Sequence, residues 1–222
     1  IAGATIGLGA GLGGIVAACG DDETPTDSTT GTTAAAGAEG GREIKIGFVT
    51  PLTGSLASFG VPDQYCADRA KEAIGDGIVC GDGKKHPVTI LVRDGQSDSN
   101  RAAQVTGDLI TQDKCDIIVT ASTPDTVCPV ADQAEALQTP CLSNDCPWQA
   151  YVATRAAGDL AATFKWTYHT FWGLEDVQAN FLDMWGQVTT NKKVAGMFSN
   201  DADGQAWKTG WTPVFEPSGL TA

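Results

Sequence analysis

From residue 43 onward the chain alternates two hydrophobic rhythms. Ile44, Ile46, Phe48 and Val49 in EIKIGFVT predict a short strand, ended by Pro51, Leu52, Thr53 and Gly54. Val61, Tyr65, Ala70, Ala73 and Ile74 then fall at helical spacing, closed by Gly75 and Gly77. Pro87 introduces a second strand, VTILVRD. Asp98 and Ser99 cap a helix whose Ala102, Val105, Leu109 and Ile110 share one face. A third strand (Asp116–Thr120), a helix (Val127–Leu137) and a fourth strand (Pro140–Ser143) complete the series. Strands alternating with helices at this pitch predict an α/β fold, a doubly wound parallel sheet.

The rhythm changes near residue 165. All six tryptophans lie at or beyond Trp148, and the aromatic run Phe164–Phe171 reads as a strand that leaves the first sheet. A helix follows with Leu174, Val177, Phe181, Met184 and Val188 on one face, and KVAGMFS (Lys193–Ser199) starts a new strand. The expected division is a first α/β lobe over 43–171 and the beginning of a second over 172–222, left incomplete at the chain's end.

The first 42 residues have neither rhythm. Residues 1–18 are uncharged and dominated by Gly, Ala and a few aliphatics, too glycine-rich for a span that needs ~20 strongly apolar residues. They read as the apolar region of a secretory signal that has lost its true start, since the chain opens on Ile1 with no basic segment. Val16, Ala17, Ala18 and Cys19 resemble a bacterial lipobox, which implies a signal remnant over 1–19 and a lipidated Cys19. Two acyl chains would anchor the protein stably to a membrane. Residues 20–42, rich in Gly, Thr, Ala and acid, read as a flexible tether spanning about 25 Å. Gly9, Gly11 and Gly14 match G-x-G-x-x-G, but no strand precedes them and no helix or acid follows in register, so no dinucleotide site is expected.

Charge narrows the partners. The chain has a net charge of −13, and Asp21, Asp22, Glu23, Asp27 and Glu39 all precede the first base, Arg42. Such a surface repels phosphate backbones, which excludes nucleic acid. No P-loop or other motif asks for a cofactor, and no G-x-S-x-G supplies a hydrolase nucleophile. An enzyme on the same scaffold remains the competing class, with His169 as its candidate base. His86 falls at the sheet end away from the expected cleft. Seven cysteines point to an oxidising compartment.

The segment Glu43–Gly60 resembles the first strand and loop of type I periplasmic-binding proteins of the leucine/isoleucine/valine type. Arg93–Asp98, Ile117–Asp125, Pro129–Asp132, Pro140–Ser143 and Phe198–Gly204 resemble later family segments in the same order. The resemblance spans roughly residues 43–222. It implies a solute-binding component of an ABC importer, with permease subunits as partners, or a receptor's ligand-sensing domain on the same fold. It also implies a small solute, an amino acid, amide or small carboxylate, held between two lobes.

In open α/β sheets ligands bind beyond the carboxyl ends of strands, near helix N-termini. Thr53 and Ser55 follow the first strand there; Ser122, Thr123 and Thr126 follow the third. Such hydroxyls hold a carboxylate without a cationic side chain, although hydroxyls after strands also serve as ordinary helix caps. Phe59, Trp148 and Trp207 are the aromatic candidates, with core packing as the alternative role. Asp201 and Asp203 suit a ligand ammonium group or, equally, a turn and helix cap. No C-x-x-C occurs and the two histidines stand apart from the cysteines in sequence, so no metal is expected. With Cys19 set aside, six cysteines remain. Sheet polarity pairs Cys115 with Cys141 and Cys128 with Cys146. Cys66–Cys80 flanks the first helix and resembles a bridge of the family.

Overall fold

The computed structural model describes residues 39–221. The signal-like segment, Cys19 and the tether up to residue 38 lie outside the described residues.

Five parallel strands form one sheet: β1 (Ile44–Thr50), β4 (Val88–Asp94), β5 (Ile117–Thr120), β6 (Cys141–Ser143) and β7 (Thr167–His169), in the order β4-β1-β5-β6-β7. β2 (Ile78–Val79) and β3 (Lys85–His86) make a separate antiparallel pair. Neighbouring residues of β1 serve opposite faces: Val49 joins one core cluster and Phe48 the other. The first cluster lies under α2 (Ser99–Thr111), α3 (Pro124–Ala136) and α4 (Trp148–Arg155), and includes Leu109, Ile118, Val127, Val130 and Tyr151. The second, with Ala67, Ala121 and Val119, lies under α1 (Ala57–Ile74). A Cβ on Gly47 would sit 2.9 Å from both Leu109 Cδ1 and Ile118 Cδ1, so α2 reaches the sheet only because that position carries no side chain.

The helices begin where the sequence places caps. Asp98 accepts from the Arg101 amide at 2.7 Å and starts α2. α3 starts on Pro124, whose fixed φ suits a first turn. A second proline, Pro129, cannot donate to the carbonyl of Asp125, and the Ser99 hydroxyl of α2 bonds that carbonyl instead at 2.7 Å. The proline thus costs α3 no unpaired carbonyl and ties it to α2.

Several expectations need correction. The aromatic run over 164–171 does not leave the sheet: Thr167, Tyr168 and His169 pair with Cys141, Leu142 and Ser143. The Glu135 carboxylate docks the start of β7, accepting from the amides of Lys165 (2.8 Å) and Trp166 (3.0 Å) and the Thr167 hydroxyl (3.0 Å). α4 was not foreseen. Lys193–Ser199 is not a strand; only Lys193 makes an isolated bridge, to Thr221. Beyond β7 lie α5 (Leu174–Gly186) and α6 (Ala202–Phe215), and α6 packs against α3, α4 and α5. The apolar face predicted over 174–188 is largely uncovered, with Phe181, Met184 and Val188 exposed. Phe181, Trp185, Trp211 and Phe215 stack into one aromatic cluster between α5 and α6.

None of the three expected cysteine pairs is joined: Cys66, Cys80, Cys115, Cys128, Cys141 and Cys146 are all free thiols. The register explains one case. Cys141 lies opposite Ile118, three residues beyond Cys115, an offset of roughly 10 Å along the strands. That exceeds the ~4.4–6.8 Å between Cα atoms that a disulfide allows. Cys66 faces solvent on α1, while Cys80 is half-buried. Cys128 Sγ lies 3.8 Å from the Tyr151 carbonyl and Cys146 Sγ lies 4.0 Å from His169 Nε2. One histidine therefore does sit beside a cysteine, although no group of three metal-ligating side chains occurs among the described residues.

Candidate functional site

The strand order reverses at β1, which has β4 on one side and β5 on the other. In such sheets this switch point opens a crevice beyond the carboxyl ends of the two strands. Here that places the loops after β1 and β5 side by side.

The loop after β1 is organised by Asp94 at the end of β4. Its carboxylate accepts from the Leu52 amide (2.8 Å), the Thr53 hydroxyl (2.6 Å) and the Gln96 amide (2.7 Å). Burial alone would raise the Asp94 pKa, but these bonds hold it below the usual carboxylate range. The Ser97 hydroxyl donates to the Thr53 carbonyl and accepts from the Leu56 amide. Thr53 is therefore spent on scaffolding. Ser55 and Phe59 remain exposed on this loop and the first turn of α1.

The loop after β5 is built differently. Ser122 is fully buried with φ = 111°, a left-handed value that disfavours a side chain. Its Oγ has no hydrogen-bond partner, and neither has Oγ1 of buried Thr123. Thr123 occupies the N-cap position of α3, yet its side chain makes no cap bond. The ordinary helix-cap role therefore does not account for these hydroxyls. Leaving one buried hydroxyl unpaired costs about 1–3 kcal/mol. Thr126, one turn further, is also buried.

The remaining candidates divide. Trp148 bonds Glu175 Oε1 through its indole N–H at 2.9 Å, tying α4 to α5. Asp201 serves as the N-cap of α6, accepting from the Gly204 amide and the Ser199 hydroxyl, both at 2.8 Å. The Gly204 bond, chiefly, lowers its pKa. Asp203 accepts from Trp207 and has its pKa raised by burial and then by Asp201. A cavity of about 410 Å³ between α4, α5 and α6, lined by Gln149, Leu160, Leu174 and Gln205, includes none of the predicted ligand residues.

Three acids at this end of the sheet were missed. Asp63 of α1 is buried and accepts from the Thr50 hydroxyl at 2.5 Å. Asp125 of α3 accepts from the Ala202 amide, between Asp201 and Asp203. Asp145, with φ = 76°, sits in the loop after β6. Burial is the first cause raising all three pKa values. Their placement after strand ends was legible; their lack of basic neighbours was not.

His169 is no catalytic base. Its Nε2 bonds the Cys146 carbonyl at 2.7 Å, its Nδ1 lies 2.8 Å from Ser143 Oγ, and its ring stacks on Tyr151. Burial lowers its pKa, so the ring is neutral. The Ser143 hydroxyl is spent within the sheet, on the Tyr168 carbonyl at 3.2 Å and on His169.

A family model described as periplasmic binding protein matches residues 43–222. A search of curated proteins finds no match. Among solved structures, an extracellular ligand-binding receptor from Rhodopseudomonas palustris is 23% identical, with a TM-score of 0.61, over 81% of this chain and 44% of its own. An ABC-transporter solute-binding protein from the same species, in complex with 3,4-dihydroxybenzoic acid, is 19% identical with a TM-score of 0.64, over 81% of this chain and 45% of its own. The branched-chain amino acid transporter substrate-binding protein of Streptococcus pneumoniae, in complex with isoleucine, is 22% identical with a TM-score of 0.55, over 77% of this chain and 47% of its own. The chain thus spans less than half the length of these structures.

Proposed function

Since the chain belongs to the periplasmic binding protein family, we propose that it forms part of an extracytoplasmic solute-binding protein serving an ABC importer. It captures a small solute between two lobes and presents it to permease subunits in the membrane. The reading extends to a first lobe over 43–171, a second lobe beginning at 172, and lipid anchoring through Cys19. Binding rather than turnover fits a family of binding proteins.

The observation that carries this reading is the pair of buried, unpartnered hydroxyls on Ser122 and Thr123 at the topological switch point. A solute group bonded to them would recover the free energy they forfeit. Ser55, Phe59 and Thr126 complete the proposed site, with Trp148 and Asp201 as its further contacts.

The test is a melting screen of the chain against amino acids, amides and small carboxylates. A ligand at a hundred times its Kd should stabilise the fold by about 2.7 kcal/mol. Thr123→Val, isosteric and on extended backbone, should weaken any such shift. A screen in which no solute moves the transition would overturn the reading. Incorporation of labelled fatty acid during expression, abolished by Cys19→Ser, tests the anchor separately.

A further inference from the structure

Four carboxylates from four different elements converge on the carboxyl end of the sheet: Asp63 (α1), Asp125 (α3), Asp145 (after β6) and Asp203 (α6). We infer that the crevice takes an organic cation, a solute whose positive charge exceeds its negative charge. The inference rests on the solute-binding reading above and names the ligand class for that site.

The geometry is a junction of acids without a counter-ion. Asp125 bonds the Ala202 amide, which places its carboxylate between Asp201 and Asp203. The Asn144 amide bonds the Thr120 carbonyl at 3.1 Å, which holds the loop carrying Asp145 beside the loop after β5. Burial and then the Asp145 charge raise the Asp63 pKa. The groups acting on the four are one another, Asp201, and His169, which is neutral. No lysine or arginine is among them. Arg101 of α2, at the same end of the sheet, bonds Gln104 through Nη1 while its buried Nε has no partner, and it forms no ion pair with any of the four acids among the described residues.

A second, independent observation points to a ligand. Ser122 Oγ and Thr123 Oγ1 sit at the start of the helix that carries Asp125, more than nine-tenths buried and unpartnered. A hydroxyl oxygen accepts from an ammonium or guanidinium N–H as readily as its hydrogen donates to a carboxylate. The acids decide between these roles. An anion such as benzoate would add negative charge to a desolvated negative site, whereas a cation relieves the repulsion there.

The experiment is calorimetric titration of the full chain with L-arginine, putrescine, L-isoleucine and 4-hydroxybenzoate at low and moderate salt. L-arginine or putrescine should bind, more weakly as salt rises and as pH falls toward the range where the raised carboxylates take up protons. Asp145→Asn and Asp203→Asn each keep one acceptor oxygen while removing the charge, and asparagine tolerates the left-handed backbone at 145. Each should weaken cation binding about tenfold, the order expected for loss of one close charge partner. Circular dichroism at each pH confirms that the variants are folded. Binding of isoleucine or 4-hydroxybenzoate in preference to both cations would overturn the charge inference and leave solute binding standing. Failure of both cations at millimolar concentration would overturn it too; solute binding itself falls only if the wider screen is also silent.

Discussion

The two ends of the parallel sheet follow opposite rules. Where the strands start, acids have partners: Asp116 accepts from Arg42 and the Lys45 amide, Glu135 binds three donors at the head of β7, and Asp132 meets Arg155. Where the strands finish, Asp63, Asp125, Asp145 and Asp203 lack a cation, three buried hydroxyls (Thr120, Ser122 and Thr123) lack partners, and Ser122 and Asp145 hold left-handed backbone. Backbone strain is shared by both ends, since Lys114 and Gln138 hold left-handed backbone ahead of β5 and β6, and Arg155 Nη2 is buried without a partner at the starting end. The contrast lies in the carboxylates. The acids of the starting end have donors or cations beside them; those of the finishing end have no cation.

The largest break in this contrast should come from Arg155. Its guanidinium is almost wholly buried, 3.7 Å over the Phe164 ring, and bonds Asp132, the Tyr151 hydroxyl and Thr167 Oγ1. Asp132 is more than half exposed, so the ion pair itself contributes little. The loss in Arg155→Ala is of packing and of two bonds to buried groups, about 3 kcal/mol, read as a lower urea midpoint with unchanged slope. A change under about 0.5 kcal/mol would show that the starting end is not where stability resides.

At the finishing end the sign should reverse. The Asp145→Asn, Asp203→Asn double variant should melt above the parent at pH 7. The raised pKa of each carboxyl means that the folded state carries the ionised form at a cost. That cost disappears as pH falls through the raised values toward the ordinary carboxylate pKa near ~4, where both proteins are neutral at these positions. The stability difference should therefore shrink on acidification. A gap that widens on acidification would mean that the two carboxylates are stabilised when ionised. Ser122→Gly removes both the orphan hydroxyl and the strained φ, and should raise stability by roughly 1 kcal/mol while weakening solute binding.

The sequence carries the starting end more openly than the finishing end. Strands β1, β4, β5 and β6 were legible because their β-branched runs are bounded by Pro and Gly, and Asp98 announced α2. β7 was misplaced because three residues, Thr167–His169, are held in the sheet by Glu135, thirty residues upstream. Lys193–Ser199 has a strand's composition but no neighbouring strand among the described residues, and a strand exists only through pairing. Ser122 and Thr123 could be proposed from their position after a strand. Asp125 and Asp145 could not, because an acid becomes informative only when its neighbours are known to lack positive charge.

The smallest effect tests whether the starting end is redundant as well as satisfied. Arg42 pairs with Asp116 at 2.8 Å, but the arginine is mostly exposed, and salt and side-chain entropy cancel most of such a contact. Asp116 retains the Lys45 amide at 2.9 Å when the arginine is lost, so its carboxylate stays bonded. The same bond keeps the start of β1 beside that of β5. Arg42→Ala should leave the melting temperature unchanged at moderate salt, with a small loss only at low ionic strength. The corresponding trial at the other end is Thr50→Val, which removes the one hydroxyl donor that Asp63 has. That buried carboxylate has no second donor to fall back on. A measurable loss in Thr50→Val beside none in Arg42→Ala would place the redundancy at one end alone. Equal losses would mean that the ends differ in charge but not in tolerance.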